Sequence, residues 1–248
     1  MSILQEYMIE FKDVYKSFGS KHVLQGMDLS IHRGETLVIL GRSGCGKSVM
    51  LKILLGLLPA DSGEVFVDGQ EITQLAEVNL FPIRQKIGML FQGAALFDSL
   101  TVGANVAFSL REHSKMPARE IDQLVHQYLS FVDLKDTEHL MPSDLSGGMK
   151  KRAALARAMA SQPQIMLYDE PTTGLDPITA TTINALIRKT QKELGVTSIV
   201  VTHELDSGFS VADRVAVIND GRIIEIGTIA EIKNSKNEFV QRFIAGPK

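Results

Sequence analysis

Residues 41–48 read GRSGCGKS and follow directly on the apolar run TLVIL. The segment matches the pattern G-x-x-x-x-G-K-S, and it lies between a predicted buried strand and a predicted helix, which is the context that this pattern requires. Its glycines let the backbone curl so that N–H groups face phosphate oxygens. Its lysine would bring positive charge to the β- and γ-phosphates, and its serine hydroxyl would be a ligand of Mg²⁺. The residues predicted to form this nucleotide site are Gly41, Arg42, Ser43, Gly44, Cys45, Gly46, Lys47, Ser48 and Val49.

Two adjacent carboxylates end a second apolar run, IMLY at 165–168. Asp169 can hold Mg²⁺ through water, and Glu170 can polarise a water for in-line attack on the γ-phosphate. Adjacent carboxylates are also ordinary polar ends of a strand. The phosphate-binding segment at 41–48 is what favours the catalytic interpretation.

Two further polar residues each follow an apolar run, namely Gln92 after IGMLF and His203 after VTSIVVT. His203 could reach the γ-phosphate from a neighbouring strand end, where it would orient water or stabilise charge. A cap or packing role for His203, and a simple polar strand end for Gln92, are the alternatives.

Residues 145–149 read LSGGM and open the helical segment GGMKKRAALARAMA. The first N–H groups of a helix lack partners within the helix and carry the positive end of its dipole. The sequence therefore predicts a second anion site, although the segment at 41–48 already forms a complete one.

The elements that must position these residues follow from the hydrophobic pattern. Residues 9–18 and 23–31 alternate like antiparallel strands, and GEVFVDG at 63–69 is predicted to form a small strand. The apolar runs at 36–40, 87–91, 165–168 and 196–202 are typical of buried parallel strands, and a hairpin is predicted to turn at Asp220-Gly221. Helices are predicted from Lys47 to about Leu57 and over 179–194, and residues 93–160 show helical spacing only. The pattern predicts an α/β fold with a mostly parallel sheet covered on both faces.

Composition excludes several classes of protein. The chain has 248 residues, 44% of them hydrophobic, and a net charge of −3, so no basic surplus indicates nucleic acid as a partner. The single cysteine, Cys45, excludes an internal disulfide. No secretory signal and no membrane-spanning run is recognisable, so we expect any membrane association to come through a partner.

The order of GRSGCGKS, Gln92, LSGGM, YDEP, GLD at 174–176 and His203 resembles the ATP-binding-cassette (ABC) ATPase family over essentially the whole chain. This resemblance implies a P-loop NTPase fold and hydrolysis of ATP with Mg²⁺. It implies one cassette over residues 1–248, with a mostly parallel core and an N-terminal antiparallel β-subdomain within 1–92 and 161–248. A helical subdomain would be inserted at about 93–160.

The family also implies roles for individual residues. Two cassettes pair head to tail, so Ser146, Gly147 and Gly148 would grip the γ-phosphate of ATP bound to a second copy. Asp176 would lie at the dimer seam, and Gln92 would sense the γ-phosphate and Mg²⁺. Phe18, with Tyr15 as the alternative, would stack on adenine. The implied catalytic residues are Lys47, Glu170 and His203, and the implied metal-site residues are Ser48, Gln92 and Asp169.

The chain departs from the family pattern at two positions near the nucleotide. Val49 stands where threonine is usual, and Met149 replaces the glutamine of LSGGQ. The first change removes a hydroxyl contact to the α-phosphate, and the second removes a polar contact to the opposite ribose. Neither residue carries the chemistry, and Glu170 is present, so the resemblance implies an active ATPase.

Longer segments, including ALFDSLTVGANVAF and DEPTTGLDPITA, resemble the MlaF-type phospholipid-transport cassettes of Gram-negative bacteria. Ala104 stands where these proteins usually have glutamate. The resemblance implies a motor on the cytoplasmic face of the inner membrane, held there by its partners. Those partners would be a polytopic permease, a STAS-domain protein and an MCE-domain lipid-binding protein.

Two alternatives stay open. The chain could be the ATPase of another ABC importer, because the catalytic residues would be unchanged. It could also be a soluble cassette scaffold of the iron–sulfur assembly type. A DNA-repair cassette is disfavoured because the chain has no heptad run and only one cysteine.

Overall fold

The structure is a computed structural model that describes residues 6–246. Its strands are β1 (Tyr7–Phe18), β2 (Lys21–His32), β3 (Thr36–Leu40), β4 (Ser62–Val67), β5 (Gln70–Glu71), β6 (Ile87–Leu90), β7 (Ile165–Asp169), β8 (Thr197–Thr202), β9 (Arg214–Asn219) and β10 (Arg222–Gly227). Its α-helices are α1 (Lys47–Leu54), α2 (Glu77–Gln85), α3 (Val102–His113), α4 (Ala118–Phe131), α5 (Gly147–Ala160), α6 (Pro177–Leu194), α7 (Leu205–Val211), α8 (Ile229–Lys233) and α9 (Glu238–Ala245).

The strands form two sheets. One has the order β2-β1-β4-β5 and is antiparallel. The other has the order β10-β9-β3-β8-β7-β6, in which all neighbours are parallel except the edge hairpin of β9 and β10. The predicted α/β class, with its mostly parallel core sheet and an N-terminal antiparallel sheet, is confirmed.

The core strands are apolar throughout because both faces of the large sheet are covered. In β3 all five residues are buried. Leu37 and Ile39 pack with α1 and the antiparallel sheet. Val38 and Leu40 pack on the other face, with residues of α3, α5 and α6. Side chains therefore alternate between two hydrophobic clusters, and the sheet is held rigid between them.

Helix α1 ends at Leu54 rather than near Leu57, and the segment before β6 forms a helix, α2, that the sequence did not predict. The two differences are linked by Arg84 of α2. Its guanidinium donates to the carbonyl oxygens of Leu55 and Gly56 at 2.9 and 3.1 Å, and these groups follow the last turn of α1. A contact between distant residues thus stabilises both helices, and neither segment carries that information locally.

Helices α3, α4 and α5 lie consecutively in the chain between β6 and β7, where only helical spacing was predicted. Their buried residues join one hydrophobic cluster with the outer face of the large sheet. Across residues 6–246, no helix has the length and apolar character that a membrane crossing needs.

Candidate functional site

The polar segments that follow the core strands meet at one edge of the large sheet. Leu40 pairs with Thr202 in β8, Asp169 pairs with Val201, and Leu90 pairs with Tyr168. These parallel strands therefore end side by side, because their carboxyl ends lie in register. The residues at these strand ends, or just after them, are the GRSGCGKS loop, the Asp169-Glu170 pair, Gln92 and His203.

The loop before α1 is built to hold an anion. Gly46, the residue that precedes α1, has φ +111°, and an added Cβ would lie 2.8 Å from a Leu24 methyl and 3.0 Å from the Val23 carbonyl oxygen. Among the residues that the structure describes, no side chain caps the N-terminus of α1. Its first N–H groups are thus left for a ligand, and the helix dipole adds positive potential there.

Lys47 places a buried ammonium group at the floor of the same loop. Its Nζ donates to the carbonyl oxygens of Gly41 and Arg42 at 2.7 and 3.2 Å, and lies 3.5 Å from Glu170 Oε1. A lysine that is only 6% exposed is costly unless its charge is balanced. Glu170 provides one balancing negative charge, and a phosphate above the loop would add to it.

A cavity of about 420 Å³ opens over the loop. Its lining residues are Phe18, Lys21, Val23, Ser43, Gly44, Gly46, Lys47, Ser48, Val49, Gln92, Glu170 and His203. An aromatic ring, a phosphate-binding loop and a carboxylate–histidine pair thus share one cavity, and these are the kinds of group that bind and hydrolyse ATP.

Three predicted residues of the loop, Gly41, Arg42 and Cys45, lie outside that cavity. Arg42 lines a neighbouring cavity together with His203 and the end of α9. Cys45 is partly buried, and burial raises the pKa of its thiol. The structure therefore places the side chains of Arg42 and Cys45 beside the nucleotide cavity, although their backbone belongs to the same loop.

The residues present also fit Mg²⁺. Ser48 Oγ donates to Asp169 Oδ1 at 3.2 Å, so a hydroxyl and a carboxylate oxygen lie together at the side of the phosphate loop. Burial raises the pKa of Asp169, and a nearby cation would restore the charged form. No cluster of three histidine, cysteine or carboxylate side chains in residues 6–246 could hold a metal alone. Mg²⁺ is commonly held by one or two carboxylates together with substrate phosphates, and Asp169 beside Ser48 provides such a carboxylate.

Glu170 is fixed by contacts on one of its two carboxylate oxygens. Oε2 accepts from Thr173 and Thr202 at 3.1 and 3.2 Å, and lies 2.9 Å from His203 Nδ1. Oε1 accepts no hydrogen bond from residues 6–246, and Lys47 Nζ lies 3.5 Å from it. The free oxygen is therefore the one available to orient and polarise a water at the cavity.

Burial alone would raise the pKa of Glu170, but its hydrogen bond with His203 and the charge of Lys47 outweigh that effect and lower it. The carboxylate is consequently ionised at neutral pH and can accept a hydrogen bond from water. When bound, Mg²⁺ would neutralise the phosphate charge that develops during transfer. The residues together support hydrolysis of a phosphoanhydride, with His203 holding Glu170 in place.

The two aromatic residues considered for adenine lie in different surroundings. Phe18, at the end of β1, lines the nucleotide cavity and is half exposed. Tyr15 does not line it, and a hydrogen bond with Asp13 raises the pKa of its hydroxyl. The geometry thus favours Phe18 as the ring that would stack on a base.

We expect Phe18→Ala to weaken ATP binding by about 5- to 150-fold, because stacking of a base on an aromatic ring contributes about 1–3 kcal/mol. Tyr15→Ala is the matched control and should leave ATP binding unchanged. Titration of each purified variant with a fluorescent ATP analogue measures both affinities. The reverse result, with Tyr15→Ala as the weakened variant, would assign the base to the other ring.

The LSGG segment lies outside the nucleotide cavity of its own chain. Ser146 caps α5, since its Oγ accepts from the Met149 N–H at 3.3 Å. A Cβ added to Gly148 would lie 2.4 Å from the Thr179 methyl, so glycine is needed there for α5 to pack on α6. Ser146 and Gly147 are exposed, and the N-terminus of α5 therefore faces solvent.

Asp176 has a role within its own chain. Its carboxylate accepts from the backbone N–H groups of Ile178 and Thr179, both at 3.0 Å, and caps α6. The hydroxyl and N–H of Thr179 lower the pKa of Asp176. This capping function was not predicted, and it is compatible with a position at a dimer seam because the residue is exposed.

Sequence reasoning missed four residues that contact the site or its carboxylate. Lys21 and Val23 line the cavity, and Thr173 and Thr202 hold Glu170. The position of Lys21 and Val23 at the start of β2, just after Phe18, was the available signal for the first pair. For the two threonines, the only available signal was their proximity in sequence to Glu170 and His203.

Comparison with known proteins gives consistent results. The family model described as "ABC transporter" matches residues 24–173. The chain is 39% identical over 243 residues to the intermembrane phospholipid transport system ATP-binding protein MlaF of Haemophilus influenzae, which covers 98% of this chain and 92% of that protein. It is 43% identical to the chloroplastic protein TRIGALACTOSYLDIACYLGLYCEROL 3 of Arabidopsis thaliana (97% and 74% covered). It is 44% identical to the methionine import ATP-binding protein MetN of Leifsonia xyli (95% and 70% covered).

Solved structures resemble the whole fold. The cassette MJ0796, in a dimeric post-hydrolysis state bound to ADP and Pi, is 33% identical, with a TM-score of 0.82 over 90% of this chain and 99% of that chain. CbiO1 from Clostridium perfringens, part of the transporter complex cbiONQ, is 32% identical, with a TM-score of 0.86 over 94% and 92% of the two chains.

Proposed function

This chain belongs to the ABC transporter family and is an ATPase that uses ATP and Mg²⁺, and we propose that the transporter it drives moves phospholipids between the inner and outer membranes. The ATPase is the motor subunit of a transporter, and cassettes of this family dimerise and pair with membrane permeases. The proposed cargo depends on the surface that would meet the permease.

The observation that carries the phospholipid proposal is the placement of the segment ALFDSLTVGANVAF. Asn105, fully buried on α3, donates to the carbonyl oxygens of Phe97, Leu100 and Thr101 and accepts from the Phe97 N–H. These bonds fix the loop before α3 in one shape. The segment that resembles MlaF-type cassettes is therefore a rigid surface feature, suited to recognising a partner.

This segment forms one wall of a large apolar groove of about 780 Å³ between α2, α3 and α5. Phe97 and Phe108 lie with ring centroids 4.7 Å apart, and both are more than a third exposed. Phe91 also lines the groove and directly precedes Gln92 of the nucleotide cavity. We propose that an amphipathic helix of the permease fills this groove and connects to the ATP site through residues 91 and 92.

The remaining assembly follows from the same proposal. Two copies of the chain would enclose ATP between the phosphate loop of one and the LSGG segment of the other. A polytopic permease, a STAS-domain protein and an MCE-domain lipid-binding protein would complete the complex. The chain would lie on the cytoplasmic face of the inner membrane as a peripheral subunit.

A second candidate is import of a small soluble substrate. The similarity to the methionine import protein MetN favours it, because the identity is as high as that to MlaF. The two candidates share the ATPase chemistry and differ in the permease and cargo.

The experiment that separates them is isolation of the complex from gently solubilised membranes of the native host. Proteins and lipids in the complex are then identified by mass spectrometry. The proposal predicts a polytopic permease, an MCE-domain protein and bound phospholipid. A permease recovered with a binding protein for a soluble substrate would assign the chain to an importer, and soluble partners alone would indicate a scaffold ATPase.

Phe108→Asp is expected to abolish docking while basal ATPase activity stays within about twofold of wild type. A charge placed in a desolvated apolar interface costs at least about 2 kcal/mol, which weakens association about 30-fold or more. Val78→Asp is the control, because Val78 is a more exposed apolar residue of α2 that does not line the groove. Co-purification of permease with each variant measures docking. Wild-type recovery with Phe108→Asp would place the permease elsewhere.

A further inference from the structure

Lys151 is a buried charge that the nucleotide site does not explain. It lies on α5, five residues after the helix cap Ser146, and only 5% of its surface is exposed. Within residues 6–246 its ammonium makes one hydrogen bond, to the backbone carbonyl oxygen of Glu170 at 3.2 Å. A buried lysine is rare unless its charge does something that an apolar residue could not.

The surroundings of Lys151 favour a charged ammonium despite its burial. Burial lowers the pKa of Lys151, and the carboxylates of Asp169, Glu170 and Glu204 act in the opposite direction. Glu204 is itself fixed, because it accepts from Thr172 Oγ1 at 2.6 Å. Lys151 therefore interacts electrostatically with three carboxylates, and it donates its hydrogen bond to the peptide carbonyl of Glu170.

That peptide holds an uncommon conformation. Glu170 has φ +49°, which lies in the left-handed region that non-glycine residues seldom adopt. Its N–H donates to the Val201 carbonyl oxygen at 2.9 Å, and its carbonyl accepts from Lys151 and, at 3.4 Å, from the Thr173 N–H. The direction in which the Glu170 carboxylate points depends on these backbone contacts, because the peptide sets the Cα–Cβ vector.

We propose that Lys151 is a positioning residue that ties α5 to the peptide of Glu170, so that phosphate bound at the exposed N-terminus of α5 sets the orientation of the carboxylate. The proposal rests on the roles proposed above for Ser146 and Glu170, but not on the transported substrate. Five residues of α-helix span about 7–8 Å, so the proposed anion site at Ser146 and the lysine lie on one short, rigid helical segment. In a dimer, the orientation of each chain's Glu170 carboxylate would thereby depend on whether the partner's nucleotide is bound.

The test is steady-state kinetics of Lys151→Met, which removes the charge and the donor while keeping the length of the side chain. We expect kcat for ATP hydrolysis to fall about 10-fold or more, with KM for ATP within about twofold of wild type, because a carboxylate moved by less than about 1 Å loses catalysis and not nucleotide affinity. Lys151→Gln keeps an N–H donor on a shorter side chain and should have an intermediate kcat. Lys150→Met, at the neighbouring and less buried lysine of α5, is the control and should have wild-type kinetics.

Two results would overturn the proposal. One is an unchanged kcat per folded chain, and the other is a raised KM with unchanged kcat. If Lys151→Met does not fold, Lys151→Gln carries the test alone, under the same two criteria. ATP-driven dimer formation in the double variant Lys151→Met/Glu170→Gln distinguishes failure of the Lys151 proposal from failure of the proposed ATP-dependent dimer. We expect that dimer to form, because nucleotide binding is intact; if Glu170→Gln dimerises and the double variant does not, Lys151 acts in binding and the positioning role is wrong.

Discussion

Replacing Glu170 with glutamine is expected to lower ATP turnover by about 10²- to 10³-fold or more, because general-base assistance contributes on that scale. Glutamine has nearly the same shape, so the hydrogen bonds of the Oε2 position with Thr173, Thr202 and His203 can persist. What it loses is the negative charge at the oxygen that faces the cavity. ATP binding should therefore be retained while hydrolysis is not.

The same variant should accumulate as a dimer with ATP and Mg²⁺, because the nucleotide that joins two copies would no longer be removed. Light scattering measures the mass of Glu170→Gln with ATP and without it, and a phosphate-release assay measures turnover. The matched control is Glu193→Gln, which changes an exposed carboxylate of α6 that does not line the nucleotide cavity. Turnover near that of wild type in Glu170→Gln would exclude Glu170 as the group that activates water.

A mixture of Ser146→Arg chains with Lys47→Ala chains is expected to regain activity that neither variant has alone. The long cationic side chain introduced by Ser146→Arg would block the anion site at the exposed N-terminus of α5, and the loss of Lys47 would remove the buried charge of the phosphate loop. If the LSGG segment acts on the nucleotide of a second copy, each mixed dimer contains one intact composite site. In an equimolar mixture, about a quarter of all sites would then be intact.

A second mixture shows whether a single intact site can turn over. Wild type mixed equally with Ser146→Arg should retain about half of the wild-type activity if one site suffices, and about a quarter if both sites must act together. With one site sufficient, recovery in the first mixture supports action between copies. Under the same condition, no recovery would contradict it.

Much of the site was predictable because its residues follow apolar runs. GRSGCGKS follows TLVIL, Asp169 and Glu170 follow IMLY, and parallel strands bring their carboxyl ends to one edge. The fold class followed from the same pattern, since continuous apolar strands alternate with helices.

What escaped prediction depends on contacts between residues far apart in the chain. Lys151 is an ordinary helical lysine in sequence, and only the packing of α5 on the large sheet, against β6, brings it to the Glu170 carbonyl. Helix α2 and the early end of α1 depend on Arg84 reaching across to Leu55 and Gly56. Propensity carries none of this, because the stabilising partner is absent from the local sequence.

The role of the LSGG segment could be predicted in part only. Ser146, Gly147 and Gly148 were predicted to form an anion site from their position at a helix start, and the structure places that start on the surface, outside the cavity of its own chain. A single chain cannot bring the two together, so the completed site remains a prediction about a dimer.

Whether ATP hydrolysis by this chain drives movement of phospholipid is measured on the purified transporter complex in vesicles. Labelled phospholipid is followed between these vesicles and acceptor vesicles or the lipid-binding partner, with ATP and Mg²⁺ present or absent. We expect ATP-dependent phospholipid movement that is lost when the complex contains Glu170→Gln. ATP turnover without any phospholipid movement, but with uptake of methionine or another soluble substrate, would contradict it.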